Sequence, residues 1–283
     1  MINATGSQGW VVDSNEIAYS TQQGVRIGKA GHLGWNYIHH NRVVGASLFQ
    51  GDRTVIEGNH FAYNPPGSVT ETGATARASQ MKIFRSIGVV VRNNVIEDGT
   101  RKGIWFDTDN YLAVIENNII RRQAQACIWY EAGYAATITG NTIAGCGSGS
   151  TSSWPSDAGI QVTNSYPVTI TNNVVSGANN GIVGMAVGGS SNPDYTTGNR
   201  GPKALGIHVS GNSITQPRGW ATGVRTSGTE ADSAFTWSGH STWTANTYNT
   251  SGNVSAAWTW QNAGKTETQW RGLGFDTSGS FGP

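Results

Sequence analysis

One short phrase recurs down the chain: an apolar residue, two further positions, Asn, one position, then another apolar residue. It reads Val12-Asp13-Ser14-Asn15-Glu16-Ile17, Ile56-Glu57-Gly58-Asn59-His60-Phe61 and Val91-Arg92-Asn93-Asn94-Val95-Ile96. It returns around Asn118, Asn141, Asn173 and Asn212, with weaker copies at Asn36 and Asn246. The shortest intervals between these asparagines are 21 to 24 residues, and the longer ones read as the same unit with an inserted loop. A repeat of that length predicts a solenoid.

Inside each repeat the apolar positions alternate at period two, the spacing of a strand. Val89, Val91 and Ile96 have counterparts in Ala113, Ile115 and Ile120, then in Ala136, Ile138 and Ile143. A second strand begins nine residues after the Asn, as in Gly103-Ile104-Trp105-Phe106 and Cys127-Ile128-Trp129-Tyr130. Short strands stacked about 4.8 Å apart predict an all-β chain, a right-handed parallel β-helix of about nine coils and roughly 43 Å length. The recurring Asn reads as a turn residue whose amide bonds the coils above and below, not as a ligand. The division expected is one domain, with coils over 1–228 and a last coil plus an irregular Trp-rich cap over 229–283. That cap carries Trp237, Trp243, Trp258, Trp260 and Trp270.

Composition narrows the function classes. Only 12% of residues are charged and the net charge is +1, which gives no electrostatic capture of nucleic acid or acidic membranes. No run of about 18 apolar residues offers a membrane span. The chain enters its first repeat almost at once, with no signal peptide in front, which points to a truncated or processed N-terminus of an extracellular protein. The uncovered first coil leaves room for missing N-terminal coils or a homo-oligomeric partner. Cys127 and Cys146 sit at different offsets from their asparagines, nine and five residues on, so two unpaired buried thiols are expected.

Aligning coils by their Asn exposes candidate chemistry. Asp107 and Glu131 each lie thirteen residues past an anchoring Asn, and Thr163 takes the same register one coil further. With Ile104 and Ile128 inward, Trp105 with Asp107 and Trp129 with Glu131 point outward on one face. Two carboxylates about 5 Å apart repel, so one should hold its proton, and a cost of that kind marks a site. Trp105 and Trp129 would form an exposed aromatic platform beside them. Asp109 shares Asp107's face if the strand continues, and Glu71 falls near the same column. Acids beside indoles suit a sugar ring. The same pair could instead hold Ca²⁺, the only cofactor considered. His32, His39, His40, His60, His208 and His240 show no zinc spacing and read as structural or surface residues.

The coils resemble the pectate-lyase-like superfamily over nearly the whole chain, which implies the fold more than any function. A narrower resemblance rests on Gly103-Ile104-Trp105-Phe106-Asp107-Thr108-Asp109-Asn110 and Cys127-Ile128-Trp129-Tyr130-Glu131-Ala132-Gly133-Tyr134. These are similar to paired segments of secreted, mostly actinobacterial β-helix proteins of no settled activity. An upstream acidic segment of that group is matched by Glu71 and Lys82, and its closing segment by 268–277. The resemblance implies secretion and makes Tyr134 a candidate for substrate contact; Arg101, a cation of the type a lyase would use, is a second candidate. Polygalacturonase-like signatures are absent apart from Asp107-Thr108-Asp109, so no substrate is named. The expected function is a secreted polysaccharide hydrolase or lyase, with Asp107 and Glu131 as acid and base or nucleophile, or Lys82 as the base of a lyase. The alternatives are a glycan-binding or tailspike-like receptor-binding module, or a structural rod.

Overall fold

The structure, a computed structural model, describes residues 1–66, 78–149, 157–187, 192–193, 200–201, 205–215, 217–226, 239–250 and 256–282. Three sheets run along it, with eleven, nine and ten strands among the described residues, parallel except where Ala263–Lys265 pairs antiparallel with Trp258–Trp260, and as far as Asn180–Ala186 strands three apart in sequence are neighbours. Each coil therefore gives one strand to each sheet and moves up one rung, as a right-handed parallel β-helix does. The eleven-stranded sheet, called sheet 1 below, contains Gln23–Ile27, Val44–Phe49, Ser79–Phe84, Lys102–Asp107, Ile128–Glu131 and Ala158–Thr163. No helix among the described residues is long and apolar enough to cross a membrane.

The interior is a stack of the inward positions: Ile27, Leu48, Ile83, Phe106, Tyr130 and Val162 from sheet 1 are all fully or almost fully buried. Beside them runs one continuous amide ladder. Asn15, Asn36, Asn59, Asn94, Asn118, Asn141, Asn173, Asn212 and Asn246 follow one another, and each passes its Nδ2 hydrogen to the next Oδ1 at 2.9–3.1 Å. The same Oδ1 also accepts the backbone N–H of the Asn below it. From Asn36 to Asn212 Nδ2 also donates to two carbonyls, and that of Asn246 to one, so every polar atom of these buried side chains is used. The residue before each rung is left-handed, for example Trp35 at φ 52°, Asn117 at φ 55° and Gly140 at φ 65°. That conformation turns the chain from one sheet into the next.

The ladder ends on a carboxylate. Asp276 Oδ1 accepts from both Asn246 N and Nδ2, while Oδ2 accepts from Tyr248 Oη at 2.6 Å and from Trp270 Nε1 at 3.4 Å. Trp243, Trp258, Trp260 and Trp270 are buried around it. Trp237 lies outside the described residues. The helix Glu267–Gly272 holds Trp270 there, and Thr266 opens it with a reciprocal capping box to Gln269.

The cysteines correct the sequence reading. Cys127 and Cys146 form a disulfide, with their Cα atoms 5.6 Å apart. Offsets five and nine flank one corner, the one where the chain enters sheet 1. Cys146, one coil on, therefore faces Cys127 across that corner. Histidines pair with acids along the coils: His32 sits between Asp13 and Glu57 at 2.9 Å to each, His60 contacts Glu97 at 2.8 Å, and the buried His39 contacts Glu16 at 3.0 Å.

Removing a middle rung should unseat its neighbours. Asn118→Ala leaves Asn94 N and Nδ2 without their acceptor and two carbonyls without a donor. At about 1–3 kcal/mol per stranded buried group, the loss should reach about 3 kcal/mol. Asn15→Ala, at the exposed end of the ladder, should lose under about 1 kcal/mol. Urea denaturation of both variants measures the difference, and equal losses would contradict a ladder that holds the coils.

Candidate active site on the outer face of sheet 1

Register in sheet 1 brings the candidate residues together. Lys82 pairs with Trp105, Trp105 with Trp129, and Trp129 with Gln161. In the next outward column Phe84 pairs with Asp107, and Glu131 with Thr163. The pairs Ile104–Ile128 and Phe106–Tyr130 between them are fully buried on the inner side. Asp107 and Glu131 thus occupy successive rungs, about 4.8 Å apart along the axis.

The indoles stack with ring centres 5.2 Å apart and planes 7° off parallel. Trp105 Nε1 donates to Glu131 Oε2 at 3.0 Å, and Trp129 Nε1 donates to Thr163 Oγ1 at 2.9 Å. They do not make the open platform expected. Trp105 is only 6% exposed, because the Lys82 ammonium lies 3.6 Å from its ring centre and that of Lys102 4.1 Å. Trp129 is half-buried. Long cationic side chains lie across apolar surface readily, so an outward strand position is not necessarily an exposed one.

Two carboxyls and two ammoniums share this face, in unlike environments. Asp107 Oδ2 is 2.8 Å from Lys82 Nζ in an ion pair. Burial, then the nearby Asp107 charge, pushes the Glu131 carboxyl up to about 7, against the pull of the Trp105 N–H and of Lys102 and Lys82. Burial likewise pushes Lys102 down to about 8, helped by Lys82 and Arg101 and opposed by Glu131 and Asp157. Repulsion between acids is present, but burial is the larger cause. A groove of about 350 Å³ opens beside the Lys82–Asp107 ion pair, lined by Gln23, Arg26, Ser47, Phe49, Phe84, Lys82 and Asp107; Glu131, one rung further, does not line it. Phe49 and Phe84 stack along it with centres 5.5 Å apart.

Over residues 1–158 the sequence matches the family described as right-handed β-helix region. The chain belongs to that family. Solved structures similar to it include DFA-IIIase from Arthrobacter chlorophenolicus A6, at 13% identity and a TM-score of 0.42, over 92% of this chain and 56% of that one. Tailspike protein 2 of bacteriophage CBA120, described as its enzymatically active domain, is similar at 10% identity and a TM-score of 0.47, over 99% and 42%. The Dettilon tailspike protein follows at 11% identity and 0.37, over 80% and 48%. The chain spans about half the length of these structures. No curated protein matches it.

The remaining candidates of this β-helix protein fall around the pair. Asp109 leaves the column: Thr108 and Asp109 are both left-handed, at φ 37° and 59°, and end the alternation at Asp107. Its Oδ2 lies 3.3 Å from Arg85 Nε. Arg101 is half-buried in the turn before Lys102. Tyr134 is half-buried in the turn after Glu131, where its carbonyl accepts from Tyr130 Oη at 2.8 Å. Glu71 lies outside the described residues. Lys102 was not among the candidates, because the repeat was counted from Gly103 and a lysine one step earlier reads as loop. Its signal was position: it stands directly before the strand that carries Trp105 and Asp107.

Calcium does not suit this pair. The ion takes roughly six to eight oxygens, whereas Asp107 is engaged by Lys82 and Glu131 has the second ammonium nearby. Among the described residues no group of three or more His, Cys, Asp or Glu side chains is placed to hold a metal.

Glu131 should make stability fall with rising pH. Its proton is held more tightly folded than unfolded, so its contribution is full below about 4.5 and is lost as pH climbs through about 7. Lys102 acts in a separate window, between about 8 and 10.5. Thermal melting of Glu131→Gln should match wild type at pH near 5 and exceed it at pH near 8. A variant that melts lower at both would contradict a Glu131 that holds its proton in the folded state.

Proposed function

We propose that this β-helix protein is a glycoside hydrolase that acts on a polysaccharide laid along the outer face of sheet 1. The observation that carries the reading is the unlike setting of two acids on successive rungs: Glu131 half-buried and with its carboxyl pushed up to about 7, Asp107 ion-paired at the groove wall. Divergent environments of this kind divide the acid and base roles. Glu131 gives its proton to the glycosidic oxygen, and the C–O bond breaks with its electron pair on that oxygen. Asp107 attacks the anomeric carbon. Water then opens the glycosyl ester while Glu131, now a carboxylate, takes its proton. Rungs about 4.8 Å apart are compatible with retention of configuration. The stacked Phe49 and Phe84 offer the sugar an apolar surface in place of the covered indoles.

Elimination is the weaker reading. Its base would be Lys82, whose ammonium is committed to Asp107. The disulfide supports an extracellular setting, since such bonds persist in oxidising compartments.

The test is release of reducing ends from a panel of polysaccharides, with proton NMR of the product anomer. Glu131→Gln and Asp107→Asn should each lower turnover by about 10³-fold or more while melting cooperatively. Full turnover in either variant refutes the assignment. An unsaturated, ultraviolet-absorbing product would give the reaction to a lyase. Undiminished binding without turnover in wild type and both variants would give a glycan-binding module.

A further inference from the structure

The reaction proposed above leaves Lys102 without a task. This side chain opens the strand Lys102–Asp107 and is only 9% exposed. Its Nζ lies 4.1 Å from the Trp105 ring centre and 5.0 Å from that of Trp129, against a double wall of stacked indoles. The nearer indole is the one whose N–H holds Glu131 Oε2. Ammonium, indoles and carboxyl form one contiguous cluster. A buried ammonium is expensive to desolvate, and a methionine would cover the same rings without that cost. The charge therefore calls for an explanation that packing does not give.

The geometry points to Lys102 as a positioning residue whose ammonium offsets the negative charge that Glu131 acquires on giving up its proton. This rests on the hydrolytic reading. When the Glu131 O–H bond breaks, the proton goes to the leaving oxygen and a carboxylate stays behind in a half-buried site. The Trp105 N–H holds one of its oxygens, and the Lys102 charge balances the whole. Without that charge Glu131 grips its proton harder and becomes a weaker acid. The charged groups facing Glu131 are Asp107, which strengthens the grip, and Lys102 and Lys82, which loosen it. Those facing Lys102 are Glu131 and Asp157, which favour the ammonium, and Lys82 and Arg101, which oppose it.

Carbon-13 NMR titration of the Glu131 carboxyl tests this without a substrate, the signal being assigned by its loss in Glu131→Gln. The wild-type midpoint should lie near 7. Lys102→Met should raise it by about one unit, a tenfold weaker acid, and Lys102→Arg should restore it. A purely structural lysine would change the melting point and leave the midpoint in place. An unmoved or lowered midpoint in Lys102→Met overturns the inference. If that variant does not fold, the wild-type trace decides. The Glu131 signal should shift a second time as Lys102 loses its proton near 8, and a single-step trace overturns the inference. The two readings fail separately. Full turnover in Glu131→Gln removes the hydrolase and leaves the Lys102 shift standing. An unmoved midpoint beside an inactive Glu131→Gln removes the role of Lys102 alone.

Discussion

Everything in this molecule is referred to a column of buried amides that must be satisfied between coils. An interior Asn has two N–H groups and a carbonyl oxygen, and no water reaches them. Stacked on its own kind at one rung per coil, it saturates all three and also takes up the backbone N–H of the coil below. A slip of one residue would strand those groups and turn each strand's apolar side outward. The ladder therefore fixes which residue lies above which, on every face.

The outer face of sheet 1 is read off that register. Because Asn94 and Asn118 are neighbours, Trp105 stacks on Trp129 and Asp107 precedes Glu131 by one rung. The strands set the order of the residues, and their neighbours set the electrostatics. Lys82 crosses to Asp107, while Lys102 and the indoles enclose Glu131. Two like charges on adjacent rungs would ordinarily weaken a sheet. Here one of them is met by an ammonium and the other holds its proton up to a pH of about 7, and both effects relieve the repulsion.

Much of this was legible in the chain, and the misses have physical causes. The nine asparagines, the parallel solenoid and the rungs of Asp107, Glu131 and Thr163 follow from counting, since a β-helix converts sequence offset into height and face. The last rung escaped because it is Asp276, a carboxylate that matches no Asn repeat yet accepts the same two hydrogens. A second amide column also went unread. Asn41 donates to Asn64 and Asn64 to Gln80, at the corner five residues past the first ladder. The disulfide is hidden from offset counting because a corner brings unequal offsets, nine for Cys127 and five for Cys146, face to face. The covering of Trp105 depends on where two lysine tails lie, and alternation along a strand carries no information about that.

The most direct measurement is the titration midpoint of the Glu131 carboxyl in wild type and in Asp107→Asn. The account predicts a midpoint near 7 that falls when the neighbouring negative charge is removed. An ordinary carboxylate midpoint, indifferent to Asp107→Asn, would mean that the two acids are not neighbours and that the coils do not superpose as described.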